Sequence, residues 1–116
     1  MSQPAAVRPE PPARPGAGQL ALASVVAQYA DRVPPSITDV RAAVAAFVAE
    51  FRLRSRSPEQ LVIAVRACAE QHVPRRVDPD ERLALVQLLV RWAIEVHGLY
   101  EASDGVRRRE RAGRSV

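Results

Sequence analysis

The chain contains no lysine: all seventeen of its basic residues are arginine. Aromatic residues are scarce, at 4% of the total, so a core must be assembled from Val, Leu, Ile and Ala. Such side chains suit helices packed closely together. A single cysteine, Cys68, excludes an internal disulfide and points to a reducing compartment. No uninterrupted run of about 18 apolar residues exists, because Gln87, Arg91 and Glu95 break the best candidate, and no membrane span is expected. The first residues are proline-rich without an apolar stretch, so no secretory signal is expected and a cytoplasmic location follows. There is no convincing strand, no Gly-rich loop after a strand, no G-x-S-x-G, no Walker A loop and no pair of zinc cysteines. These absences predict no enzyme, no cofactor and no small-molecule ligand.

What is present is helical periodicity. Asp78-Pro79-Asp80-Glu81 has the chemistry of a helix start: an oxygen acceptor as N-cap, proline where no N–H is needed, and negative charge at the positive end of the dipole. Leu83, Val86, Leu89, Val90, Ala93 and Val96 then recur at three- and four-residue steps, predicting the core face of a long helix. Leu85, Leu88, Trp92 and Leu99 form a second apolar row on its flank. One row suffices to bury a helix in so small a chain, so the second is expected either to meet the first helix or to remain exposed as an interface. Gly98 can end the helix, with Leu99 and Tyr100 folding back, or the helix can continue to about Ala102.

Three further helices are expected. Ser57-Pro58-Glu59-Gln60 matches a capping box and opens a helix with Leu61, Val62, Val65, Cys68, Ala69 and His72 on one face, stopped by Pro74. An earlier helix starts near Ser36 or Thr38 and turns Ile37, Val40, Val44, Phe47, Val48 and Phe51 inward. Its opposite face, Ala43, Ala46 and Glu50, reads as surface or as a close packing contact. The first and least secure helix runs from about Gln19 to Asp31, with Leu22, Val25, Val26 and Tyr29 on one face and Pro34-Pro35 after it. The prediction is an all-α, up-and-down bundle of four helices over residues 18–102. Residues 1–17, rich in proline, and 103–116, rich in arginine, are expected to be disordered arms.

Charge follows the same division. From Gly18 to Asp104 there are ten Arg against eleven Asp and Glu, whereas the two ends together hold seven Arg against two Glu. The bundle is therefore near neutral and the basic excess lies at the ends. Arg107, Arg108, Arg109, Arg111 and Arg114 are candidates for phosphate contacts through counterion release. They lack interleaved aromatics for stacking on bases. Cys68 and His72 share a face at four-residue spacing, but the next histidine, His97, belongs at the far end of the following helix, so a metal site is not expected.

The stretches Pro58-Glu59-Gln60-Leu61 and Trp92-Ala93-Ile94-Glu95 resemble those of small uncharacterised helical proteins from GC-rich bacteria, and the Arg-for-Lys and Ala-Val-Pro bias fits such genomes. The resemblance implies an all-α fold and no particular activity. The reading favoured by the sequence is a non-enzymatic protein–protein interaction or adaptor module. In that reading Leu85, Leu88, Trp92 and Leu99 contribute to an interface with a partner protein or with a second copy of the chain. The alternative is a protein that binds nucleic acid non-specifically through its arginine-rich end.

Overall fold

The computed structural model describes residues 16–114. The proline-rich arm falls outside these, apart from Gly16 and Ala17, and so do residues 115 and 116. Four helices follow one another: α1 (Ala17–Ala27), α2 (Ile37–Phe51), α3 (Pro58–His72) and α4 (Pro79–Arg114). They form an all-α, up-and-down bundle. The α1/α2 hairpin packs on the α3/α4 hairpin, with α1 against α3 and α2 against α4.

The helix starts are those their caps dictate. Ser36 accepts from the Asp39 N–H at 3.0 Å, and Ser57 from the Gln60 N–H at 3.2 Å. Asp78 accepts from the Asp80 N–H at 3.0 Å. In the expected capping box Gln60 would reach back to the Ser57 N–H. Instead the Ser55 hydroxyl accepts that proton at 3.1 Å, and Glu59 accepts from the Ser57 hydroxyl at 3.0 Å. Ser57→Ala removes the acceptor for the first turn of α3 and should lower stability by about 0.5–2 kcal/mol in urea melts. No change in midpoint would show that the cap contributes nothing.

The core gathers Leu22 and Val26 of α1, Val44, Phe47 and Val48 of α2, Leu61, Val65, Cys68 and Ala69 of α3, and Leu85, Val86, Leu89 and Ala93 of α4. Val73 and Val77, in the α3–α4 connector, are buried with them. Three positions expected inside are outside: Tyr29, because α1 ends at Ala27 and not near Asp31; Ile37, at the very start of α2; and Leu83, which α4 turns to solvent while Leu85 takes its place in the core. A helix meets its neighbours over a limited arc, and small changes in its rotation exchange which of two apolar rows fills it.

α1 is secured by an unexpected device. Gly16 offers no side-chain cap, and the carboxylate of Glu50 on α2 accepts from the Gly18 N–H at 2.7 Å. A Cβ on Gly18 would lie 2.5 Å from the Ala46 carbonyl oxygen, so only glycine allows the two backbones to approach this closely. The Ala43-Ala46-Glu50 face of α2 is therefore a close packing contact.

α4 does not stop at Gly98 or Ala102. It is one helix of 36 residues, about 54 Å at 1.5 Å per residue, more than twice the length of its neighbours. The segment from 103 onward, read from its composition as an arm, is helical as far as Arg114. Leu99 and Tyr100 consequently stay on the helix surface and do not fold back over the core. Within α4 an 18-residue window reaches a mean hydropathy of 1.2, enough by length and composition to cross a membrane, although Arg91 and Glu95 interrupt it. The bundle core uses one side of that apolar surface and the exposed row described next uses another.

Candidate functional site: the exposed row and the arginine end of the fourth helix

Of the four predicted interface residues, the structure keeps three together. Leu85 is only 6% exposed and belongs to the core. The correction follows from the same rotation that expels Leu83. Leu88 is 38% exposed and Leu99 71% exposed, with Trp92 half-buried between them. Val106, 52% exposed, continues the line. Trp92, Leu99 and Val106 are seven residues apart, so they keep nearly the same azimuth along a continuous helix. Val106 was missed because the helix was not expected to extend that far.

Arg41 of α2 lies over the Trp92 ring, 4.8 Å from its centroid. A cation over the face of an indole is attracted by the ring quadrupole and covers part of its apolar surface. Between the two helices a shallow groove of about 150 Å³ is lined by Arg41, Trp92, Glu95, Val96 and Leu99. Nothing in the sequence pairs Arg41 with Trp92, because the crossing of α2 over α4 brings them together.

A second cluster fixes the distal part of α4. Arg52, the C-cap residue of α2, is 9% exposed in its side chain. Its guanidinium donates to Glu101 Oε1 and Asp104 Oδ2, each at 2.7 Å, and lies 5.1 Å from the Tyr100 ring centroid. Nη1 is also 3.2 Å from Nδ1 of the buried His97. Arginine can only donate, so Nδ1 accepts and the imidazole proton sits on Nε2, 3.9 Å from Glu101. The Arg52 hydrogen bond, helped by the charges of Arg52 and Arg56, holds the Glu101 carboxyl below the usual range, against the opposing effect of desolvation. His97, considered above only as a distant ligand, is thus part of an arginine clamp. Cys68 is in the core, where burial pushes its thiol up and keeps it protonated. Among the described residues no three His, Cys, Asp or Glu side chains group as metal ligands.

The predicted phosphate contacts separate. Arg107 and Arg108 border an open cleft of about 300 Å³ together with Asp104 and Arg56, the latter from the α2–α3 loop. Arg109 is exposed on the same helix but does not line the cleft. Arg111 and Arg114 occupy the last turns of α4, and their side chains lie outside those described.

No family model matches the sequence, and neither a curated protein nor a solved structure does.

Proposed function

We propose that the chain is a non-enzymatic interaction module that associates with a second copy of itself through Leu88, Trp92, Leu99 and Val106 on α4. The observation that carries this reading is the exposed, regularly spaced apolar row on a helix far longer than its neighbours. Water is excluded from such a row at little cost, because its residues already stand rigid on a helix and need little ordering. A two-fold pairing of identical rows is self-complementary by symmetry. Burial of Cys68 as a protonated thiol and the shallow, open shape of the α2/α4 groove support a role without catalysis. The lone cysteine, left as a free thiol, supports a cytoplasmic setting.

Sedimentation of the full chain should show a dimer whose dissociation constant hardly moves with salt, because the row is uncharged except for Glu95. Leu99→Glu should weaken it by at least about tenfold, equivalent to 1.4 kcal/mol. The variant should melt like the parent, since Leu99 is largely exposed. A folded monomer at every accessible concentration rejects the reading.

A further inference from the structure

We infer that Arg56, Arg107 and Arg108 form a preorganised clamp for the phosphodiester backbone of a nucleic acid. The cleft they line is an assembled feature, since Arg56 comes from the α2–α3 loop and the other two from α4, some fifty residues later in the chain. Its one acidic lining residue, Asp104, is already committed: Oδ2 accepts from Arg52 at 2.7 Å and is only 3.9 Å from Arg56. Among the described residues neither Arg107 nor Arg108 lies within ion-pair distance of a carboxylate. Three arginines thus line one open cleft with a single, shared counter-charge. That arrangement is costly unless an anion is near, and guanidinium geometry suits the paired oxygens of a phosphate.

The clamp is rigid because of Arg52. Its bonds to Glu101 and Asp104 fix α4 one turn before Arg107 and Arg108, and fix the end of α2 four residues before Arg56. A flexible basic arm would need ordering on binding, whereas these side chains hang from elements already locked together. A polymer is favoured over a lone phosphate. The cleft is open, and Arg109, the next residue on the same helix, is also exposed. A lipid surface is disfavoured because the exposed end of α4 offers Val106 as its one large apolar residue, too little for interfacial insertion. With no aromatic residue beyond Tyr100, the contact reads backbone charge and no base sequence.

The test is fluorescence anisotropy of the full chain with a short labelled DNA duplex, repeated from about 50 to 200 mM salt. The parent should bind, with affinity falling steeply as salt rises. Arg56→Gln and Arg107→Gln should each weaken binding uniformly across sequences and reduce the salt slope by about 1. Arg54→Gln, an equally exposed arginine outside the cleft and paired with Glu50, should leave the slope unchanged. Equal losses for Arg54→Gln and Arg56→Gln would reduce the effect to general charge and overturn the clamp, as would absence of binding at the lowest salt. Binding to anionic phosphatidylserine vesicles but not to DNA would replace the proposal with a membrane one. Leu99→Glu should retain duplex binding, so this inference and the self-association fail separately.

Discussion

Arg52→Ala should lower folding stability by about 2–4 kcal/mol and release the distal part of α4 from the bundle. A side chain that is 9% exposed and satisfies two carboxylates cannot be removed without leaving Glu101 and Asp104 facing each other without their shared cation. Both carboxylates retain some contact with water, which places the effect below that of a fully buried pair. His97 loses its donor at Nδ1 in the same substitution. Beyond Ala102 the bundle holds α4 chiefly through Arg52, so hydrogen exchange should accelerate from about residue 101 onward while Leu85, Val86 and Leu89 stay protected. Urea melts and exchange together test this. A variant with parental stability and unchanged protection would show that the helix needs no clamp. The same contact carries a pH dependence. Glu101 has its carboxyl lowered in the folded state, so its contribution is fully present above the unfolded value of about 4.3 and is lost as pH falls through the lower folded value. Acid titration of the parent should therefore expose α4 distally before the core melts. In Arg52→Ala that early step should vanish.

Gly18→Val should cost about 2–4 kcal/mol, the other large effect expected of a single substitution. The Ala46 carbonyl is backbone and cannot swing aside, so α1 must move away from α2 as a unit. Moving it opens the pocket filled by Leu22 and Val26, both nearly inaccessible, and lengthens the bond from the Gly18 N–H to Glu50. Gly98→Ala provides the contrast. No atom lies within 4 Å of where its Cβ would sit, and the backbone there is helical. It should stabilise by about 0.5–1 kcal/mol, since alanine loses less backbone freedom on entering a helix. If Gly18→Val melted like the parent, α1 would not be packed as described. If Gly98→Ala were destabilising, Gly98 would have a contact the structure does not show.

The contrast between these two glycines separates what the sequence determined from what the tertiary structure decided. Local chemistry was enough to locate the starts of α2, α3 and α4. Ser36, Ser57 and Asp78 cap the turns that follow them because the acceptor and the donors are two or three residues apart, and Pro74 stops α3 for an equally local reason, whereas α1 already ends at Ala27, well before Pro34 and Pro35. The apolar period of 3.6 identified Val44, Phe47, Val48, Leu61, Val65, Leu89 and Ala93 as core positions. Which of Leu83 and Leu85, at the two edges of the inward face of α4, would be buried was beyond its reach. Leu83 and Leu85 are equally apolar, and the choice depended on the angle at which α2 and α3 approach. Glu50 reads as a surface residue until the N-terminus of α1 is brought against it. Nothing local singles out Arg52, and only the crossing of α2 with α4 buries it between Glu101 and Asp104. That clamp is also why an arginine-rich segment, whose composition alone suggests an arm, continues α4 as a helix. Its tertiary partners lie nearly fifty residues away in sequence, and no local pattern encodes a contact that spans such a distance.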